Sequence, residues 1–206
     1  MKTNRWIVKL AALILFFPFL FGCKTYMKLK YGVTQPKQET PAKLISFLEK
    51  YNFPTQNMYV FSDSAGYIQE MKNPTFSKYI LSNMIFDHDG ILLKRDTAQC
   101  QWSGYDKIKS LRIDSLYEKN DELRLTQLLE KIRPFGKSDI PGTELKNPDF
   151  TVVVTWAKFL GSYNYRLFVL DEAVNLNKTA RIRLIWLNID MQKSWSLTPG
   201  QKVAIN

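Results

Sequence analysis

The sequence predicts an α/β fold with a mostly parallel central sheet flanked by helices. Three observations predict it. Thr151–Val154 is an unbroken β-branched run, extended by Thr155 and Trp156, and Ile182–Ile189 is a second apolar run rich in β-branched and aromatic residues. Between them, Arg166 to Asn177 carries helical apolar spacing at Leu167, Leu170 and Val174. Two apolar strands joined by a helix are what a parallel pair in a buried sheet requires. The third observation is composition: 45% of the 206 residues are hydrophobic, which suits one packed domain and argues against disorder.

The chain opens with an address. Lys2, Arg5 and Lys9 form a positive head, and Leu10 to Phe21 is an uncharged apolar run of 12 residues. That length suits a signal peptide and falls short of the roughly 20 residues that span a bilayer. The run ends Leu20-Phe21-Gly22-Cys23, which resembles the lipobox of bacterial lipoproteins, although Phe21 stands where that family prefers a smaller residue. The resemblance implies cleavage after Gly22, acylation of Cys23 with chains such as palmitate, and a periplasm-facing protein anchored to a bacterial membrane. Residues 1–22 are then a signal peptide, 23–41 a lysine-bearing tether and 42–206 the folded domain. The formal charge of +10 falls to +7 once Lys2, Arg5 and Lys9 are removed. With an envelope address, that charge points to an anionic membrane surface and not to nucleic acid.

The domain elements follow in order. Thr40 caps a helix with Pro41 at its first position, buries Leu44, Ile45, Phe47 and Leu48, and stops at Asn52-Phe53-Pro54. Asn57–Phe61 reads as a buried strand, and Ser62-Asp63-Ser64 offers a cap for a helix over Ala65–Met71. Residues 75–82 suggest a further helical stretch. Met84–Phe86 and Ile91–Lys94 flank Asp87-His88-Asp89-Gly90, a hairpin signal. Tyr105–Ile113 suggests a short helix with Ile108, Leu111 and Ile113 inward. Asn120 to Pro134 predicts the clearest helix, capped by Asn120 or Asp121 and striped by Leu123, Leu125, Leu128, Leu129 and Ile132. Gly136, Pro141, Gly142 and Pro148 make 135–149 a loop between two halves. In the tail, Trp195, Leu197, Val203 and Ile205 are expected to pack on the sheet, with Thr198-Pro199 opening a last short helix.

Phe150–Ala157, ending Thr-Trp-Ala, resembles the strand before the active site of thioredoxin-like proteins, and Ile189-Asp190 resembles the strand that follows their active-site helix. The hairpin around Asp87–Gly90 resembles the family's closing hairpin. It comes first in this chain, which implies a permuted domain or two thioredoxin-like halves. Where that family carries Cys-x-x-Cys, the chain reads Lys158-Phe159-Leu160-Gly161-Ser162-Tyr163-Asn164-Tyr165, with no cysteine. Thiol exchange needs a thiolate and a resolving cysteine, so that reaction is closed at this position. The expectation is a binding or adaptor module for an envelope protein or peptide, with no cofactor. Tyr163, Asn164, Tyr165 and Arg166 are its candidate contacts, beside helix N–H groups able to hold an anion or a peptide carbonyl.

Two enzymatic alternatives remain. Asp87-His88-Asp89-Gly90 resembles the first motif of haloacid-dehalogenase-type phosphatases, which implies Asp87 as nucleophile, Asp89 as acid/base and Mg²⁺ between carboxylates. Ile91 stands where that family has Thr, the motif enters a hairpin, and no later acidic pair follows a strand. A polar turn using Gly90 is the simpler reading, and the single His, His88, does not make a His-based metal site. Cys100 is the one thiol left once Cys23 is acylated. It is either a reactive single thiol or a small buried hydrophobe beside Trp102.

Overall fold

The computed structural model describes residues 23–94, 103–135 and 147–195. Cys100, residues 136–146 and the tail beyond Trp195 lie outside the described residues. So do the expectations placed on them: the thiol's environment, most of the seam loop and the final helix.

A seven-stranded sheet carries the fold, in the order β4-β3-β2-β6-β7-β1-β5. The strands are β1 (Met58–Phe61), β2 (Asn83–Asp87), β3 (Ile91–Leu93), β4 (Lys119–Arg124), β5 (Ile132–Pro134), β6 (Phe150–Trp156) and β7 (Ile182–Asn188). β6 is buried along its whole length and pairs in parallel with β7, Thr151 opposite Arg183 and Thr155 opposite Leu187. The expected parallel unit is therefore the centre of the sheet. The sheet as a whole is mixed, not mostly parallel. β6–β7 and β1–β7 are parallel, while β1–β5, β2–β3, β2–β6 and β3–β4 are antiparallel. Of the antiparallel pairs only β2–β3 is a tight hairpin; the others join strands far apart in the chain, whose direction no local pattern announces.

Helices cover both faces. α1 (Cys23–Tyr31) precedes the domain, and α2 (Pro41–Lys50) starts at Thr40, whose hydroxyl accepts the Lys43 N–H. α3 (Ser64–Lys72) starts at Asp63, whose carboxylate accepts the Gly66 N–H at 2.8 Å. α4 (Pro74–Ser77) is one turn, shorter than the stretch expected over 75–82. α5 (Ser103–Lys109) turns Ile108 inward, and Leu111 beyond it is buried, but Ile113 is exposed. α6 (Leu125–Leu129) is short, and the helix expected over Arg166–Asn177 breaks at Val169 into α7 (Tyr165–Phe168) and α8 (Leu170–Leu176). Alternation along β6 sends Val152, Val154 and Trp156 to a core under α2, α7 and α8, and Val153 to a core under α3 and α4. Trp186 joins the first core, with the Phe168 ring centre 4.6 Å from its own and tilted by 41°, and Ile185 and Leu187 join the second.

The helix expected over Asn120–Pro134 does not form. Its residues make strand β4, the single turn α6 and strand β5. Leu123, Leu128 and Ile132 are all buried, as the stripe required, but each from a different element. β4 closes one edge of the sheet against β3 and β5 closes the other against β1. Tertiary pairing outweighs a helix propensity of a few tenths of a kcal/mol per residue.

The stretch expected to be a tether carries α1 and then runs along the body. Thr34 N–H donates to Phe159 C=O at 2.7 Å, and Glu39 N–H donates to Met191 C=O at 2.8 Å. Among the described residues no helix is long and apolar enough to cross a membrane.

Candidate functional site

At its carboxyl end β6 runs through Ala157 into a 3₁₀ segment, Lys158–Asn164, and then α7. Gly161 sits in this segment at φ 55° and ψ −134°, a region open only to glycine. A Cβ there would lie 2.1 Å from the Tyr31 carbonyl oxygen. The segment therefore packs backbone to backbone against the end of α1, and Ser162 Oγ donates to the same Tyr31 oxygen at 3.2 Å.

The four candidate contact residues separate here. Asn164 is fully buried, and its amide donates to Ala157 C=O at 2.8 Å and Gly161 C=O at 2.9 Å. It shapes the loop from inside and does not face a ligand. Tyr165 is half exposed and leans on Phe53 and Tyr51. Tyr163 and Arg166 stay together: the guanidinium lies 5.1 Å from the Tyr163 ring centre and 5.3 Å from that of Tyr31, and Arg166 Nη2 donates to Tyr31 Oη at 2.8 Å.

Tyr163 and Arg166 also wall a small cleft of about 40 Å³ whose opposite wall is Leu81, Ser82 and Asn83, with Tyr105, Leu167 and Leu170 completing it. Leu81 has φ 61°, unusual for a bulky side chain and costing on the order of 1–2 kcal/mol. Thr155 holds it there. The buried Thr155 hydroxyl accepts Leu81 N–H at 2.8 Å and donates to Tyr79 C=O at 3.0 Å. Strain maintained by a buried hydrogen bond at the lip of a cleft is a feature of binding sites.

One backbone N–H at the head of this segment, that of Lys158, is already used. Asp190, two residues beyond β7, accepts the Lys158 N–H at 2.6 Å and the Asn188 amide at 2.8 Å. Burial pushes its carboxyl up to about 6; the Lys158 N–H and the Asn188 amide pull against that, and nearby Glu39 adds to it. Glu39 is itself buried and paired with Lys158 Nζ at 2.7 Å.

Asp87, His88 and Asp89 bring ligand atoms within 4.8 Å of one another at the β2–β3 turn. Asp87 is occupied structurally. Its Oδ1 accepts the N–H groups of Asp89 at 3.1 Å and Ile91 at 2.8 Å, and its Oδ2 meets Lys119 Nζ at 2.5 Å. Burial opposes ionisation of Asp87, but Lys119 and the two N–H groups outweigh it and hold the carboxyl below its usual range. Lys119 also lies 3.9 Å from Asp89, so an ammonium stands where a phosphatase-like reading needs Mg²⁺. Gly90 takes φ 71°, as the polar turn requires.

No family model, curated protein or solved structure matches this chain. The site therefore rests on its own geometry. Sequence reading missed Leu81–Asn83, Tyr105, Tyr31 and the carboxyl of Asp190 as neighbours of the Tyr163–Arg166 loop. The signal that could have pointed to the Tyr31 contact is Gly161, a glycine between a strand and a helix.

Proposed function

We propose that this is a lipid-anchored, periplasm-facing envelope protein whose domain is thioredoxin-like, with the hairpin half first, and whose work is binding rather than catalysis. Several features support the thioredoxin-like reading. β6 ends in Trp156-Ala157 and runs through a loop and helices to the parallel strand β7, and the β2–β3 hairpin lies antiparallel on the other side of β6. The loop holds no cysteine. The observation that carries the binding reading is the cleft between Tyr163–Arg166 and the strained Leu81–Asn83 segment. Its apolar lining, two tyrosines and one guanidinium suit one carbonyl or acidic group presented by a polypeptide bound over its rim.

Site-specific photo-crosslinking in cells tests this. A crosslinker at Ser82, on the cleft rim, should capture one or two recurrent envelope polypeptides, and Arg166→Ala should weaken their capture. A crosslinker at Lys72, exposed on α3 and not part of the cleft lining, should not capture them. Identical capture from both positions, unaffected by Arg166→Ala, would refute the binding role of the cleft.

A further inference from the structure

We propose that α1 is a bilayer-contact helix: its Tyr26–Leu29 face, edged by Lys28 and Lys30, lies on an anionic lipid surface and sets the orientation of the whole domain. This rests on the lipid-anchor reading and extends it from an attachment point to a defined pose.

The two faces of α1 differ. Met27 and Tyr31, one turn apart, are the half-buried residues and turn toward the body. Tyr31 meets the edge of Tyr163 at 5.3 Å and receives the Arg166 hydrogen bond. Its carbonyl abuts Gly161 so closely that no side chain fits there. Gly32, at φ 66°, then turns the chain so that Thr34 bonds Phe159. The last turn of α1 is thus fixed to the domain and cannot swing as a free linker would.

The outer face is apolar and unpartnered by the body. Leu29 is 76% exposed and Tyr26, three residues before it, is 51% exposed. At roughly 100° per residue, Lys28 and Lys30 fall to either side of Leu29. Long lysine stems can lie along an apolar surface while their ammonium groups reach the headgroups. Lys30 Nζ already bends back over Tyr26, 2.7 Å from its hydroxyl. From Lys24 to Lys37 the chain holds four lysines and no acid, Glu39 being the first.

Two observations select a bilayer as the occupant. The helix begins at the residue read as the lipid acceptor, and at 1.5 Å per residue its far end lies about 13 Å away. Two exposed side chains are also far short of the roughly 800 Å² per partner that a stable protein interface needs. The pose places the Gly161 loop beside the membrane.

The test uses the full lipidated chain in vesicles, with a nitroxide on Leu29→Cys or on Leu116→Cys, each in a Cys100→Ser background. Leu116 is fully exposed and serves as the aqueous reference. On phosphatidylglycerol-containing vesicles the Leu29 label should favour oxygen over a nickel chelate as relaxant, and the Leu116 label the reverse. Lys28→Glu with Lys30→Glu should return the Leu29 label toward the aqueous ratio. A Leu29 label as aqueous as that at Leu116 overturns the proposal. Intact mass reads acylation of Cys23 separately. An unacylated chain overturns the anchor reading, and the label ratio read on added vesicles in a Cys23→Ser, Cys100→Ser chain then still decides for or against the helix face.

Discussion

Replacing Asp190 by Asn should remove a pH dependence that the fold otherwise carries. The carboxyl is 2% exposed, and burial raises it from 3.8 to about 6. A group raised on folding binds its proton more tightly in the native state. Its stabilising contribution is fully present below the unfolded value and is lost as pH rises through the folded one. The whole difference corresponds to about 3 kcal/mol, of which about 1 kcal/mol should be gained between pH 7 and pH 5. Asp87, Asp114, Asp149 and Glu122 are held below their usual ranges and act in the opposite sense. Their contributions fade only as pH falls to about 4 and below, so the window from 7 to 5 belongs to Asp190. Urea unfolding of the full chain, followed by fluorescence of the buried Trp156 and Trp186, measures the slope. Wild type should gain stability from pH 7 to 5, and Asp190→Asn, an isostere of the protonated acid, should be nearly flat and at least as stable at pH 7. An equal slope in both proteins would refute burial as the cause.

Two further predictions concern the ends of the cleft. Gly161→Ala puts a methyl group against the Tyr31 carbonyl and forces a side chain into a glycine-only region, a strain of about 1–3 kcal/mol. The strain is relieved most easily by releasing α1, so amide exchange over residues 25–34 should rise while β6 stays protected; unchanged exchange would show that the contact does not hold the helix. Thr155→Val leaves Leu81 N–H and Tyr79 C=O without the hydroxyl and should cost about 1–3 kcal/mol in urea unfolding, whereas Thr155→Ser should retain most of the stability. Equal stability of the two variants would count against the hydroxyl's part in holding the Leu81 turn.

The parts of the fold readable from sequence are those in which local pattern and tertiary demand coincide. Thr151–Trp156 and Ile182–Ile189 are apolar on both faces because helices cover both sides of the sheet there. Thr40 and Asp63 announced their helices because a cap acts through its own next few residues. Asn120–Pro134 misled because Leu125, Leu128, Leu129 and Ile132 repeat at helical spacing although only Leu125–Leu129 is helix. Leu123 faces the core from an edge strand, and Ile132 pairs with Phe61 across the sheet. Neither requirement leaves a trace within a window of fifteen residues.

The candidate site was readable only along the chain, not across it. The Lys158–Arg166 loop could be located because a strand precedes it and a helix follows. What the loop can do is set partly from elsewhere: Asp190 takes the Lys158 N–H, while within the loop Asn164 turns inward to bond Ala157 and Gly161. Tyr31 comes from a lysine-rich stretch with no apolar periodicity, yet it meets Tyr163 and Arg166 by ring contact and hydrogen bond. Linear spacing carries no signal for such pairings, since their sequence separation exceeds 130 residues. Arg166 lines the cleft and holds the last turn of α1 at once. On the proposed binding role, an occupant that drew the guanidinium into the cleft would weaken its bond to Tyr31; partner binding and the seating of α1 would then be coupled, equally in both directions by linkage.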